Sequence, residues 1–274
     1  MQLITDLDLN QLISEASTDD LGILADYITD KGKGRISLSS EVCNVLQQAR
    51  TQGEFSPTAR AYIAEELQRF GGNSFMNLFR GGAGVSYKEV LCDVAEHLKA
   101  EFRKTDDCGR IETAILTKLL VQSMQKMTTA EREEVLRDFG QPNMAMGAAG
   151  IAGLTAAIVG SAALRYRLGA MVADASVKAL LGRGLLFGAS GTAGRGVGAL
   201  LGPLGWAITA MWTVYDLASP AYRVTVPSVI QLAYMRNKPL ALGRACTHCG
   251  ASLAPEAKFC SECGLPVCAV KQLS

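Results

Sequence analysis

A chain of 274 residues that is 49% hydrophobic, only 6% aromatic and holds 28 glycines can bury a large core of small aliphatic side chains. That points to close helix packing and away from a strand-rich aromatic interior. The net charge of +1 excludes a polybasic or polyacidic character, yet it conceals an asymmetry: residues 1–142 carry 16 Lys and Arg against 22 Asp and Glu (−6), residues 143–240 carry 8 against 2 (+6), and residues 241–274 carry 3 against 2.

The opening MQLITDLDLN has no basic segment and contains Asp6 and Asp8, so no secretory signal is expected. Residues 1–142 read as an acidic α-helical domain. Ser86-x-x-Glu89 and Thr128-x-x-Glu131 are capping-box patterns, and Ser39 with Ser40 ahead of Glu41 offers a further helix start. Val90, Leu91, Val94 and Leu98 recur at helical spacing after Tyr87, as do Ile111, Ile115, Leu119 and Leu120. Pro57 suits a first helical turn, Gly71-Gly72 ends that helix, and Gly140 with Pro142 stops the last one. Glu65 and Glu66 read as surface charges, and His97 as a residue flanking a helix face.

Residues 143–240 form a Gly-rich, apolar and basic helical block. No charge falls between Asn143 and Leu164, or between Gly196 and Tyr215; each stretch matches the roughly 20 residues that cross a bilayer core. In the first, Ala145, Ala149, Gly153, Ala157 and Ser161 recur every fourth residue. In the block leading into the second, Gly184, Gly188, Thr192 and Gly196 do so, as do Gly194, Gly198 and Gly202. Such ridges let two helix backbones approach closely. Between them, Leu164, Leu168, Val172, Ala175 and Ala179 share one face, with Arg167, Asp174 and Lys178 as a narrow polar stripe. The same pattern suits the buried centre of a soluble helical protein.

Residues 241–274 hold the most specific motif. Cys246, Cys249, Cys260 and Cys263 stand as CxxC–x10–CxxC, the arrangement of two zinc knuckles that together give four thiolates for one structural Zn²⁺. Gly250 and Gly264 follow the second cysteine of each pair, where the turn favours positive φ. All four ligand positions are filled by protein, so no place remains for a catalytic water. His248 and Cys268 are not needed as ligands. Zinc thiolates fit a reducing compartment. With Arg244, Lys258 and Lys271 as its only cations, this tail is not expected to bind nucleic acid, and protein contact is favoured.

No catalytic constellation stands out. GASGTAGRG lacks the lysine of a phosphate-binding loop, and His97 and His248 are the only histidines. A non-enzymatic role is expected.

The segment IAEELQRFGGNSFMNLFRGGAGVSYKEVLCDVAEHLK (63–99) resembles the signature of the YaaW family of uncharacterised bacterial proteins. The resemblance resumes at LLGRGLLFGA and at AYRVTVPSVIQLAYMR (221–236), and LDLNQLISEASTDDLGILADYITDKGKGR is similar to the helical module that opens that family. Some members carry a ubiquinol–cytochrome c chaperone-like label. The resemblance implies an all-α bacterial protein with a Gly-rich apolar block and no established activity, to which the ribbon is an addition. Arg80 and Arg223 lie in two of these motifs and are expected to tie the acidic half to the basic block.

Two functions follow as expectations. One is a membrane-associating effector or scaffold, conditionally inserting or pore-forming through residues 143–215, cytoplasmic until it meets anionic lipid of the inner membrane. The other is a soluble helical chaperone or adaptor that buries the hairpin and holds a protein partner through the ribbon. Self-association is open in both.

Overall fold

The structure is a computed structural model, and it describes residues 6–35, 38–72, 84–142, 147–181, 205, 221–242, 246, 248–249, 253 and 257–266. Helices are α1 (Leu7–Ser14), α2 (Thr18–Thr29), α3 (Ser40–Gln52), α4 (Pro57–Gly72), α5 (Tyr87–His97), α6 (Cys108–Gln125), α7 (Thr129–Asp138), α8 (Ala148–Gly160), α9 (Ala162–Leu181) and α10 (Tyr222–Ala241). The described residues form no multi-residue strand; a single bridge between Phe259 and Pro266 lies in the ribbon. The all-α expectation stands.

Local chemistry sets the boundaries. Both capping boxes form: Ser86 and Thr128 accept from the backbone of Glu89 and Glu131, whose carboxylates return bonds to the cap amides. Ser39 caps α3, Pro57 opens α4, and Gly140 takes φ +69° just past α7. Asp6, Ser17 and Asp107 cap α1, α2 and α6 in the same manner.

α10 is the axis of the body. It packs most extensively on α9, and also on α1, α2, α4, α5 and α6. From Val224 to Met235 every residue is buried, the signature of a helix apolar enough to be enclosed on all sides. One hydrophobic cluster runs from Leu9 in α1 to Met235 in α10 and includes Leu168, Val172 and Ala175 of α9. The described part of the apolar block is thus packed on the acidic helices.

α9 and α10 approach closely at Gly169, where an added Cβ would lie 3.1 Å from the Tyr234 Cα. A bulkier residue there must push two backbones apart. Gly169→Val is expected to destabilise the fold by about 1–3 kcal/mol, read as a lowered melting temperature. Gly160→Ala, with nothing within 4 Å of the new carbon, should leave it almost unchanged.

The uncharged stretch 143–164 is not one helix. α8 stops at Gly160, Ser161 turns extended (φ −126°, ψ 117°), and α9 leaves at 108° to α8. The Ser161 hydroxyl accepts from the Leu164 amide at 3.3 Å, so the last member of the small-residue ridge serves as the cap of the next helix. Among the described residues no single helix is long and apolar enough to cross a membrane; the bent pair α8–α9 passes on length and composition only. Gly184, Gly188, Thr192, Gly194, Gly196, Gly198 and Gly202 lie outside the described residues.

Candidate functional site

The ribbon is built from two turns that bring four sulfurs together. Cys246 and Cys249 approach Cys263 and Cys260 with Sγ–Sγ distances of 3.6 Å each, and all four sulfurs lie within 4.8 Å of one another. A tetrahedral zinc at about 2.3 Å from each sulfur requires neighbouring sulfurs about 3.8 Å apart, so the donor set fits. The backbone supports this geometry. The His248 amide donates to Cys246 Sγ at 3.4 Å, Cys260 donates its amide to the Leu265 carbonyl, and the Gly264 amide donates to the Cys260 carbonyl. Gly264 takes φ +70°, as its position after the knuckle predicts; Gly250 lies outside the described residues.

Backbone amides of Cys249 and then His248 lower the Cys246 thiol to about 6, favouring the thiolate that ligates metal. Cys263 moves up even though the Leu265 amide bonds its sulfur, because partial burial and neighbouring thiols oppose a second negative charge. A divalent cation resolves that conflict. These four cysteines are the site for one structural zinc. Phe259 and Leu265 stand 65% and 41% exposed beside it.

A second constellation joins the two oppositely charged parts of the chain. Arg236 of α10 donates Nε to Glu112 Oε2 at 2.7 Å, and Nη1 and Nη2 to the two Asp8 oxygens at 2.8 and 2.6 Å. Glu112 is fully buried and also accepts from the Tyr87 hydroxyl at 2.6 Å. Burial opposes the Arg236 charge, but Glu112 and Asp8 outweigh it and hold the guanidinium above its ordinary value. Burial likewise raises Glu112 against the pull of Arg236 and Tyr87. Two residues on, Lys238 Nζ reaches Asp20 Oδ2 at 2.8 Å, while Gln231 Nε2, earlier in α10, donates to Asp20 Oδ1 at 3.1 Å. Asp20 is 5% exposed.

Arg236 and Lys238 are not singled out in the sequence, where Arg80 and Arg223 are expected to make this connection. Arg223 is exposed at the start of α10, Arg80 lies outside the described residues, and Arg236 and Lys238 of α10 pair with acids of the N-terminal helices. Glu66 is also corrected: it is 2% exposed and paired to Arg69, although Glu65 remains half-exposed. Asp174, read as part of a polar stripe, is buried and paired to Lys178 at 3.1 Å. On α8, Ala149 is exposed and Gly153 and Ala157 are half-buried; the face turned inward carries Gly150, Leu154 and Ile158.

The fold and the thiolate cluster define an all-α protein bearing a structural zinc ribbon. Residues 246–267 match the family model of the zinc-ribbon domain. Over 236 residues the chain is 34% identical to a UPF0174 protein of Helicobacter pylori, covering 85% of this chain and 92% of that one. A second Helicobacter pylori UPF0174 protein is 37% identical over 211 residues, with 73% and 98% covered. The UPF0174 protein YaaW of Escherichia coli is 31% identical over 247 residues, with 85% and 94% covered. No solved structure matches. The chain belongs to the UPF0174 family, which includes YaaW.

Proposed function

We propose that this protein is a membrane-associating scaffold that lays α8 against an anionic bilayer and contacts a protein partner through its zinc ribbon. The observation that carries this reading is the outer side of α8. Ala148, Ala149, Ala152, Ala156 and Val159 are exposed there, Val159 by 54%, and no residue of the helix is charged. A helix that faces water normally sets polar residues on that side; an apolar outer face calls for a cover.

At 13 residues α8 is too short to span a bilayer, so the contact is interfacial. Inserting α9 as well would pull Leu168, Val172 and Ala175 from the core and carry Asp174 with them. Association therefore leaves α9 in place and stops short of pore formation. The burial of α9 also supports the second reading, a soluble adaptor, in which the exposed Phe259 and Leu265 of the ribbon hold a protein.

Flotation with phosphatidylglycerol vesicles separates the two. The full chain is expected to float at low ionic strength and less at high salt, and Ala152→Glu combined with Ala156→Glu should abolish flotation with the melting temperature unchanged. A wild-type chain that stays at the bottom of the gradient at low salt would establish the adaptor reading.

A further inference from the structure

A groove of about 880 Å³ opens between α6, α8 and the ends of α9 and α10, a volume in the range of ligand sites. Several of the charges around it are already answered. Arg236 is held by Glu112 and Asp8, and Arg110 Nε lies 3.5 Å from Asp107. Asp106 accepts the Arg103 amide at 2.9 Å. These acids belong to the connection between α5 and α6.

Three cations on the groove have no carboxylate partner among the described residues: Arg103, which is exposed, and Arg165 and Lys118, which are half-buried. Arg165 of α9 donates Nε to the Asn237 side-chain oxygen at 3.0 Å and Nη1 to the Val159 carbonyl, both neutral acceptors. Its Nη2 has no hydrogen-bond partner, and no carboxylate pairs with it, among the described residues. Burial alone lowers its affinity for a proton. Lys118 of α6, half-buried on the groove wall, likewise has no ion pair among the described residues. The Thr155 hydroxyl of α8 also lines the groove and can donate. A half-buried guanidinium with donors to spare, an ammonium and a hydroxyl form a donor set for a tetrahedral oxyanion.

We propose that this groove binds a phosphate ester, with Arg165 and Lys118 as the charged ligands. Resting on the membrane reading above, the ester is the headgroup of an anionic phospholipid. α8 is both one wall of the groove and the bearer of the exposed apolar face. A headgroup seated between Arg165 and Lys118 thus leaves its acyl chains beside Ala156 and Val159.

The test is calorimetric titration of the full chain with glycerol phosphate, run beside flotation on phosphatidylglycerol and on phosphatidylcholine vesicles, for wild type, Lys118→Ala and Arg165→Gln. Lys118→Ala breaks no hydrogen bond or ion pair among the described residues and so guards against a misfolded Arg165 variant. Losing one charged contact should weaken glycerol phosphate binding about tenfold, with phosphatidylglycerol binding falling in parallel. Binding of glycerol phosphate that depends on Lys118 without any flotation would keep the groove as a site for a soluble phosphate ester and remove the membrane reading. Flotation unaffected by either variant, with no glycerol phosphate bound, would overturn the groove and leave the membrane reading standing. Neither binding nor flotation in the wild type would overturn both.

Discussion

Arg236→Ala is expected to destabilise the body by about 3–5 kcal/mol, because it leaves the fully buried Glu112 without the cation it is bonded to. Glu112 is fully buried, and its remaining partner, the Tyr87 hydroxyl, carries no charge to replace the guanidinium. Asp8 loses both of its bonds to Arg236 at once. Arg236→Lys should recover only part of the loss, since one ammonium cannot serve two carboxylates with a planar fork. Arg223→Ala, at an exposed position, should change stability by no more than about 1 kcal/mol. Chemical denaturation of the three variants checks the order. A loss for Arg223→Ala as large as that for Arg236→Ala would mean that the docking charge has been misplaced.

Removing the metal gives the second large effect, confined to the ribbon. A tail of this size has little core, and zinc supplies on the order of 10 kcal/mol of its folding free energy. Cys249→Ser or Cys260→Ser each removes one of four thiolates and should release the zinc, while the helical signal and the melting of the body stay unchanged. Metal analysis is expected to find one zinc per chain in the reduced wild type and none in either variant. Zinc retained in both variants, or a body that melts with the ribbon, would contradict this arrangement.

Local signals were legible wherever one short segment decided the outcome. The Ser86 and Thr128 boxes, Pro57, Gly140 and the four cysteines each act within a few residues, and each appears in the structure as the sequence implies. Long-range choices were hidden because a local rule already accounted for the residues involved. Asp8 and Asp20 sit in the first turns of α1 and α2, where acids favour the helix dipole. Lys238 sits in the last turn of α10, where a cation does the same. Nothing local showed that Asp8 and Arg236, 228 positions apart, clasp each other. Ser161 could have been found: a Gly-Ser pair inside an apolar run is a stop followed by a cap, but fourfold spacing of small residues read it as part of a ridge. Pro227 inside a buried α10 runs against helix propensity, and enclosure by six other helices overrides it.

Amide hydrogen exchange on the full chain, with and without phosphatidylglycerol vesicles, tests the central claim most directly. Exchange reports each helix separately and needs no substitution. Lipid is expected to slow exchange across Ala148–Gly160 and to leave Ala162–Leu181 as protected as before. Faster exchange in α9 would mean that the block inserts by opening the core, and unchanged exchange in α8 would mean that its apolar face is not where the protein meets lipid.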